Sequence, residues 1–138
     1  MDQKLDLLRD VPLFAGLGNR ELEEVSRLAD TIDLPAGREL THEGGFGAEF
    51  FVIVDGAVEI TRNARRIRTL GPGEFFGEIA LVDGGPRTAT ARTAEPSKLL
   101  MVGHREFHSL LERFPTIQIA VLTALAQRVR HLSPDDES

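Results

Sequence analysis

Fourteen consecutive residues, Phe76-Gly77-Glu78-Ile79-Ala80-Leu81-Val82-Asp83-Gly84-Gly85-Pro86-Arg87-Thr88-Ala89, concentrate most of the chemistry available to this chain. Gly77 has no Cβ, so the backbone there can take an unusual φ and approach a ligand closely. Residues 78–82 are long enough for one helical turn, whose free N–H groups and dipole favour a bound anion. Arg87 offers five donors in a rigid fork that can pair two phosphate oxygens at once. Pro86 fixes φ just before it and stiffens its approach. Glu78 has a different task. A carboxylate repels phosphate, so Glu78 is expected to accept from sugar hydroxyls while a cation partner keeps it ionised. A glycine turn alone usually does no more than reverse the chain; here the whole ordered string carries the reading. It specifies a site for a small ligand bearing a phosphate and a sugar.

The flanking pattern supplies helices, then many short strands, then helices. Residues 2–9 read as a short helix stopped near Pro12. Asn19 reads as the N-cap of a helix through Ala29, with Glu21, Glu23 and Glu24 complementing the dipole and Leu22, Val25 and Leu28 on one face. Strand-like runs cut by glycine and proline follow at 32–34, 39–42, 50–54, 58–61, 67–70, 88–93 and 98–102. Asp55-Gly56, between two apolar runs, reads as a hairpin turn. Regular turns between short strands suggest a mainly β sandwich or roll. Residues 104–114 carry Phe107, Leu110, Leu111 and Phe114 at helical spacing. The run 116–132 carries Ile117, Val121, Leu125, Val129 and Leu132 on one stripe that Leu122 is expected to widen. A polar tail, 134–138, ends the chain. The expected organisation is one domain over 1–133: helical to 30, β-roll over 31–102, and C-terminal helices over 104–132.

The fourteen-residue string resembles, almost letter for letter, the phosphate-binding cassette of the cyclic nucleotide-binding domain family. The likeness extends from about Leu13-Phe14 to Leu132. It takes in Leu34-Pro35-Ala36-Gly37, His42-Glu43-Gly44, Glu49-Phe50-Phe51-Val52-Ile53 with Gly56 as a central hairpin, and Arg105-Glu106-Phe107 through Phe114-Pro115. The resemblance implies an antiparallel, jelly-roll-like β-roll of about eight strands. It implies that Glu78 binds the ribose 2′-hydroxyl and Arg87 the cyclic phosphate, with Phe76, Gly77, Ile79, Ala80, Thr88 and Ala89 lining the site. It also implies that Arg128 can pair with Glu78 and that Ser133 lies where a lid residue meets the base. Thr88 follows the cassette arginine, where a hydroxyl can accept from a guanine amino group; it permits cyclic GMP without requiring it. One departure stands out: Ala48 occupies a position where the family usually has aspartate, which predicts altered loop stability more than lost binding. The last helix resembles the family's lid or dimer helix. No helix-turn-helix sequence follows it, so DNA binding by this chain alone is not expected.

Composition fits that reading. With 138 residues, 41% of them hydrophobic, the chain suits one core, and its net charge of −6 argues against a general nucleic-acid surface. It does not argue against one phosphate, which a single arginine can satisfy. The absence of cysteine excludes disulfides and thiolate metal sites and favours a reducing cytosol. No apolar run approaches a membrane span, and the first residues lack signal-peptide order, so neither membrane nor nucleic acid is an expected partner. His104 and His108 lie four apart on a predicted helix, but without a third ligand they read as surface polars rather than a metal site. Arg62, Arg65, Arg66 and Arg68 cluster around Asn63-Ala64 and read as a solvated hairpin tip. A β-roll enzyme of the cupin type would need several inward histidines, and only His42 lies in the strand region.

Three functions compete for these residues: a non-catalytic sensor, a structural or protein-interaction roll with an unoccupied pocket, and that metal enzyme. The sensor accounts for the cassette best. It is expected to need no cofactor and no metal, to bind cyclic AMP in preference to cyclic GMP, and to signal through movement of the last helix. Its protein effector is unknown, and it is expected to be a monomer or a weak homodimer through that helix. Arg87 is expected to be partly solvated when no ligand is bound.

Overall fold

The computed structural model describes residues 3–47, 49–77 and 85–131. Helix α1 (Gln3–Arg9), a 3-10 turn at Pro12–Phe14 and helix α2 (Asn19–Leu28) lead into eight described strands. These are β1 (Ala29–Leu34), β2 (Glu39–Thr41), β3 (Glu49–Asp55), β4 (Val58–Arg62), β5 (Arg65–Leu70), β6 (Phe75–Phe76), β7 (Thr90–Thr93) and β8 (Ser97–Gly103). Helices α3 (His104–Arg113) and α4 (Pro115–His131) follow. Every strand pairing is antiparallel, in two four-stranded sheets ordered β1-β8-β3-β6 and β2-β7-β4-β5. The expected mainly β roll with flanking helices is therefore the observed fold.

Its layering follows from the two-residue period of a strand. On β3, Phe50 and Val52 point into a cluster with the helices, where Phe50 meets Phe107 at a ring separation of 4.5 Å. Phe51 and Ile53 point the other way, between the sheets, where Phe51 stacks on Phe76 at 5.0 Å. The first sheet is thus covered on both faces, by helices on one side and by the second sheet on the other. The outer face of the second sheet is polar, with Arg92 and Glu59 paired across β7 and β4.

That double burial corrects one expectation. Asp55-Gly56 is not a hairpin turn, because β3 pairs with β8 and β6 while β4 pairs with β5 and β7. Both edges of β3 are already occupied, so the chain crosses at Gly56 (φ 98) to the other sheet. The corner is held by Ala57 N–H donating to Ser97 Oγ at 3.2 Å and Ala94 N–H to the Ala57 carbonyl at 2.9 Å. The true two-residue hairpin joins β4 to β5 at Asn63-Ala64, both left-handed (φ 54 and 64), the geometry such turns require. Around it Arg62, Arg65 and Arg66 are exposed and Arg68 is half-buried.

Smaller differences have local causes. Asn19 is not the cap of α2: its Oδ1 accepts from Arg9 Nη2 at 2.9 Å, and Gly18 caps instead, its N–H donating to Glu21 Oε1 at 2.8 Å. β1 begins at Ala29, two residues before the expected boundary at 31, because pairing with Val102 draws it in. β6 has only two residues, too few to show alternation. On α4, Ile117 and Val121 are buried and Leu125 packs beside them, but Leu122 does not widen the stripe; it and Ile119 are each 64% exposed.

Candidate functional site

The site is built where the chain leaves β2 and enters β7. Beyond the ends of those paired strands the ladder continues through loops: Gly44 N–H donates to the Arg87 carbonyl at 2.9 Å and Arg87 N–H to the Gly45 carbonyl at 2.7 Å. Side chains clamp the same seam, with Thr41 Oγ1 donating to the Ala89 carbonyl at 3.1 Å and Glu43 N–H donating to Thr90 Oγ1 at 2.9 Å. From the hairpin, Arg62 Nε donates to the Thr88 carbonyl at 2.9 Å, and Glu43 Oε1 accepts from Asn63 N–H at 2.9 Å. Arg62 is therefore a strut for the backbone at 87–89, not simply part of a solvated tip.

Arg87 is also not partly solvated. It is 5% exposed, because its side chain lies inward against backbone on both sides. Nη2 donates to the Glu49 carbonyl at 2.8 Å and Nη1 to the Gly77 carbonyl at 3.2 Å. Those bonds engage two of its five N–H groups. Nε is buried with no partner among the described residues, which is unusual for a buried donor. Glu49 Oε1 stands 4.0 Å from Nη2, too far for a hydrogen bond, with the carboxylate side chain 42% exposed. Burial pulls the Arg87 pKa below its ordinary value and Glu49 opposes that shift; the group remains a cation at neutral pH.

Two glycines make this pose possible for different reasons. Gly77 (φ 94) is left-handed, and a Cβ there would lie 2.8 Å from the Glu49 carbonyl and 3.0 Å from Arg87 Nη1. Gly47 supplies only space: a Cβ there would lie 2.6 Å from both Nε and Nη2 and 3.0 Å from Cζ. Those three distances put the point in the guanidinium plane, off the edge that Nε and Nη2 share. A side chain at position 47 would therefore block that edge.

The structure brings together Phe76, Gly77, Arg87, Thr88 and Ala89 from the sequence reading. Phe76 is buried among the residues between the sheets and serves as a floor, Ala89 is half-buried against the same cluster, and Thr88 is at the surface. Glu78, Ile79, Ala80, Ser133 and the departure at Ala48 lie outside the described residues. So does the side chain of Arg128, although its backbone lies in α4. Sequence reasoning missed Gly47 and Glu49 as walls of the site. The signal available was three glycines within Gly44-Gly45-Phe46-Gly47, immediately before an apolar strand. His104 and His108 are neighbours on α3, ring centroids 4.6 Å apart, and no group of three metal-ligating side chains occurs among the described residues. An open depression of about 250 Å³ between Leu7, Asp10, Val11 and Pro72 contains none of the cassette residues.

The described residues thus form a two-sheet antiparallel roll flanked by helices, with an inward arginine held between two glycine-bearing loops. The chain belongs to the cyclic nucleotide-binding domain family, whose profile matches residues 31–114. Domains of this family are regulatory and not catalytic. The chain is 30% identical over 128 residues to the cyclic AMP receptor protein of Thermus thermophilus, a match covering 89% of this chain and 59% of that protein. It is 39% identical over 124 residues to a cyclic nucleotide-gated potassium channel of Mesorhizobium japonicum, covering 88% of this chain and 34% of the channel. The crystal structure of the Thermus thermophilus catabolite activator protein superposes with a TM-score of 0.82 at 29% identity, covering 91% of this chain and 62% of that one. The chain thus spans between 34% and 62% of the length of these relatives. No helix among the described residues is long and apolar enough to cross a membrane.

Proposed function

We propose that this domain is a non-catalytic sensor that binds a cyclic mononucleotide, cyclic AMP in preference to cyclic GMP. The observation that carries the reading is the Arg87 guanidinium, 5% exposed and with an Nε that has no partner among the described residues, at the seam between β2 and β7. A buried cation with free N–H groups is stabilised by an anion that accepts from them. The proposed roles are phosphate binding for Arg87, ribose binding for Glu78, and backbone approach at Gly77, Ile79, Ala80 and Ala89. The names of the relatives, a cyclic AMP receptor and a cyclic nucleotide-gated channel, favour a cyclic nucleotide over other phosphates.

The proposed output is a population shift. Ligand phosphate orders the cassette, and the base end contacts α4 with Arg128 and Ser133 as lid residues. The ligand moves that equilibrium only by its differential affinity for the two states. Exposed Ile119 and Leu122 on α4 support transmission to a protein effector or weak pairing with a second copy. The cysteine-free composition supports a cytosolic setting.

Calorimetry and thermal melting with cyclic AMP and cyclic GMP test this reading. At 100 times Kd the ligand adds about 2.7 kcal/mol, or roughly 5–15 °C in Tm for a domain of this size. No shift with either nucleotide at saturating concentrations would favour a structural or protein-interaction roll with an unoccupied pocket.

A further inference from the structure

We propose that Glu49 is a resident counter-charge that holds down the affinity of the site for anionic ligands, an inference resting on Arg87 as the phosphate-binding residue. Arg87 is buried, and among the described residues the carboxylate beside it is that of Glu49, with Oε1 4.0 Å from Nη2. At that distance, and 42% exposed, the carboxylate does not orient the guanidinium. Orientation comes from backbone: the Glu49 carbonyl on Nη2 and the Gly77 carbonyl on Nη1. None of those contacts needs the Glu49 side chain. What that side chain supplies is charge, and it counters the depression that burial imposes on Arg87.

The same charge opposes a ligand. An anionic oxygen accepting from Nη2 stands at most about 7 Å from the Glu49 carboxylate, given a normal hydrogen-bond length. Two like unit charges about 6 Å apart repel by roughly three- to tenfold in affinity at an effective dielectric of about 40–80. The empty site therefore gains a partly compensated cation, and the filled site carries a repulsion that keeps binding reversible. Position 49 becomes an affinity dial separate from the residues that hold the ligand.

The test is calorimetry of cyclic AMP with wild type, Glu49→Gln and Glu49→Asp, at about 0.01 M and about 1 M salt, where screening lengths are about 30 and 3 Å. Glu49→Gln is expected to bind about three- to tenfold more tightly at low salt, with the gain shrinking at high salt. Glu49→Asp, which keeps the charge, is expected to stay near wild type. Melting of the unliganded variants checks that all three are folded. Equal or weaker binding by folded Glu49→Gln at low salt overturns this inference while leaving the cyclic nucleotide reading intact. Wild type that binds neither cyclic AMP nor cyclic GMP overturns that reading, and this inference with it.

Discussion

Strand β3 divides two interiors of unlike kind. On its helical side Phe50 and Val52 join a cluster of eighteen buried apolar residues among those described, drawn from the helices, the 3-10 turn with its flanking loops, and the first sheet. On its other side Phe51 and Ile53 join eight among the described residues, and the nearby loop end of that roll holds a buried cation, Arg87. The larger cluster carries most of the burial that opposes chain entropy. The smaller one can then afford an arginine with an unsatisfied Nε, because its strands are already fixed from behind. Stability and recognition are thus assigned to opposite faces of one strand, one residue apart.

The largest effect should come from the helical side. Phe107 is 1% exposed and packs on Phe50 with ring centroids 4.5 Å apart. Phe107→Ala is expected to lower stability by about 3–5 kcal/mol through lost burial and a residual cavity. Urea titration measures that loss. Below the melting transition, cyclic AMP affinity should stay within a few-fold of wild type. A folded Phe107→Ala protein with binding reduced a hundredfold would break the division between the faces.

Arg87→Ala reverses the pattern. Removing one partner of a desolvated charge pair weakens binding by about 2–5 kcal/mol. Folding should change by no more than about 1 kcal/mol, since removing a desolvated cation offsets the loss of its bonds to the Glu49 and Gly77 carbonyls. Paired calorimetry and melting decide it. A folded variant that binds cyclic AMP within threefold of wild type would remove Arg87 from the site.

The same contrast explains what the sequence made legible. The helical cluster was readable because its residues repeat at helical spacing, as Phe107, Leu110 and Phe114 do. The family was readable because the residues that carry the resemblance are contiguous in sequence. The partition between sheets was not. Phe50-Phe51-Val52-Ile53 is apolar without alternation, which fits a strand buried on both faces but hides which neighbours occupy its edges. So Asp55-Gly56 looked like a hairpin and is a crossing. The second wall of the site was equally hidden, since Gly47 and Glu49 meet Arg87 across 40 and 38 positions of chain. Local pattern carries no information about such a meeting. Burial of Arg87 was missed for the same reason: its solvation depends on the glycine facing it, not on its own neighbours.

The smallest effect sharpens the comparison within the recognition face itself. Thr88 is exposed, and its carbonyl is tied to Arg62 Nε at 2.9 Å, which fixes the backbone beside Arg87. That tie survives truncation of the side chain, so Thr88→Ala tests the hydroxyl alone. The hydroxyl can accept from the amino group of guanine, which adenine lacks at that position. A neutral hydrogen bond contributes about 0.5–1.5 kcal/mol, or roughly 2- to 13-fold in affinity. Thr88→Ala is therefore expected to weaken cyclic GMP by up to that factor more than cyclic AMP, with unliganded stability unchanged. Titrations of both nucleotides into wild type and variant measure the difference. Equal losses would mean that the hydroxyl meets only phosphate. Base discrimination would then have to come from residues other than Thr88.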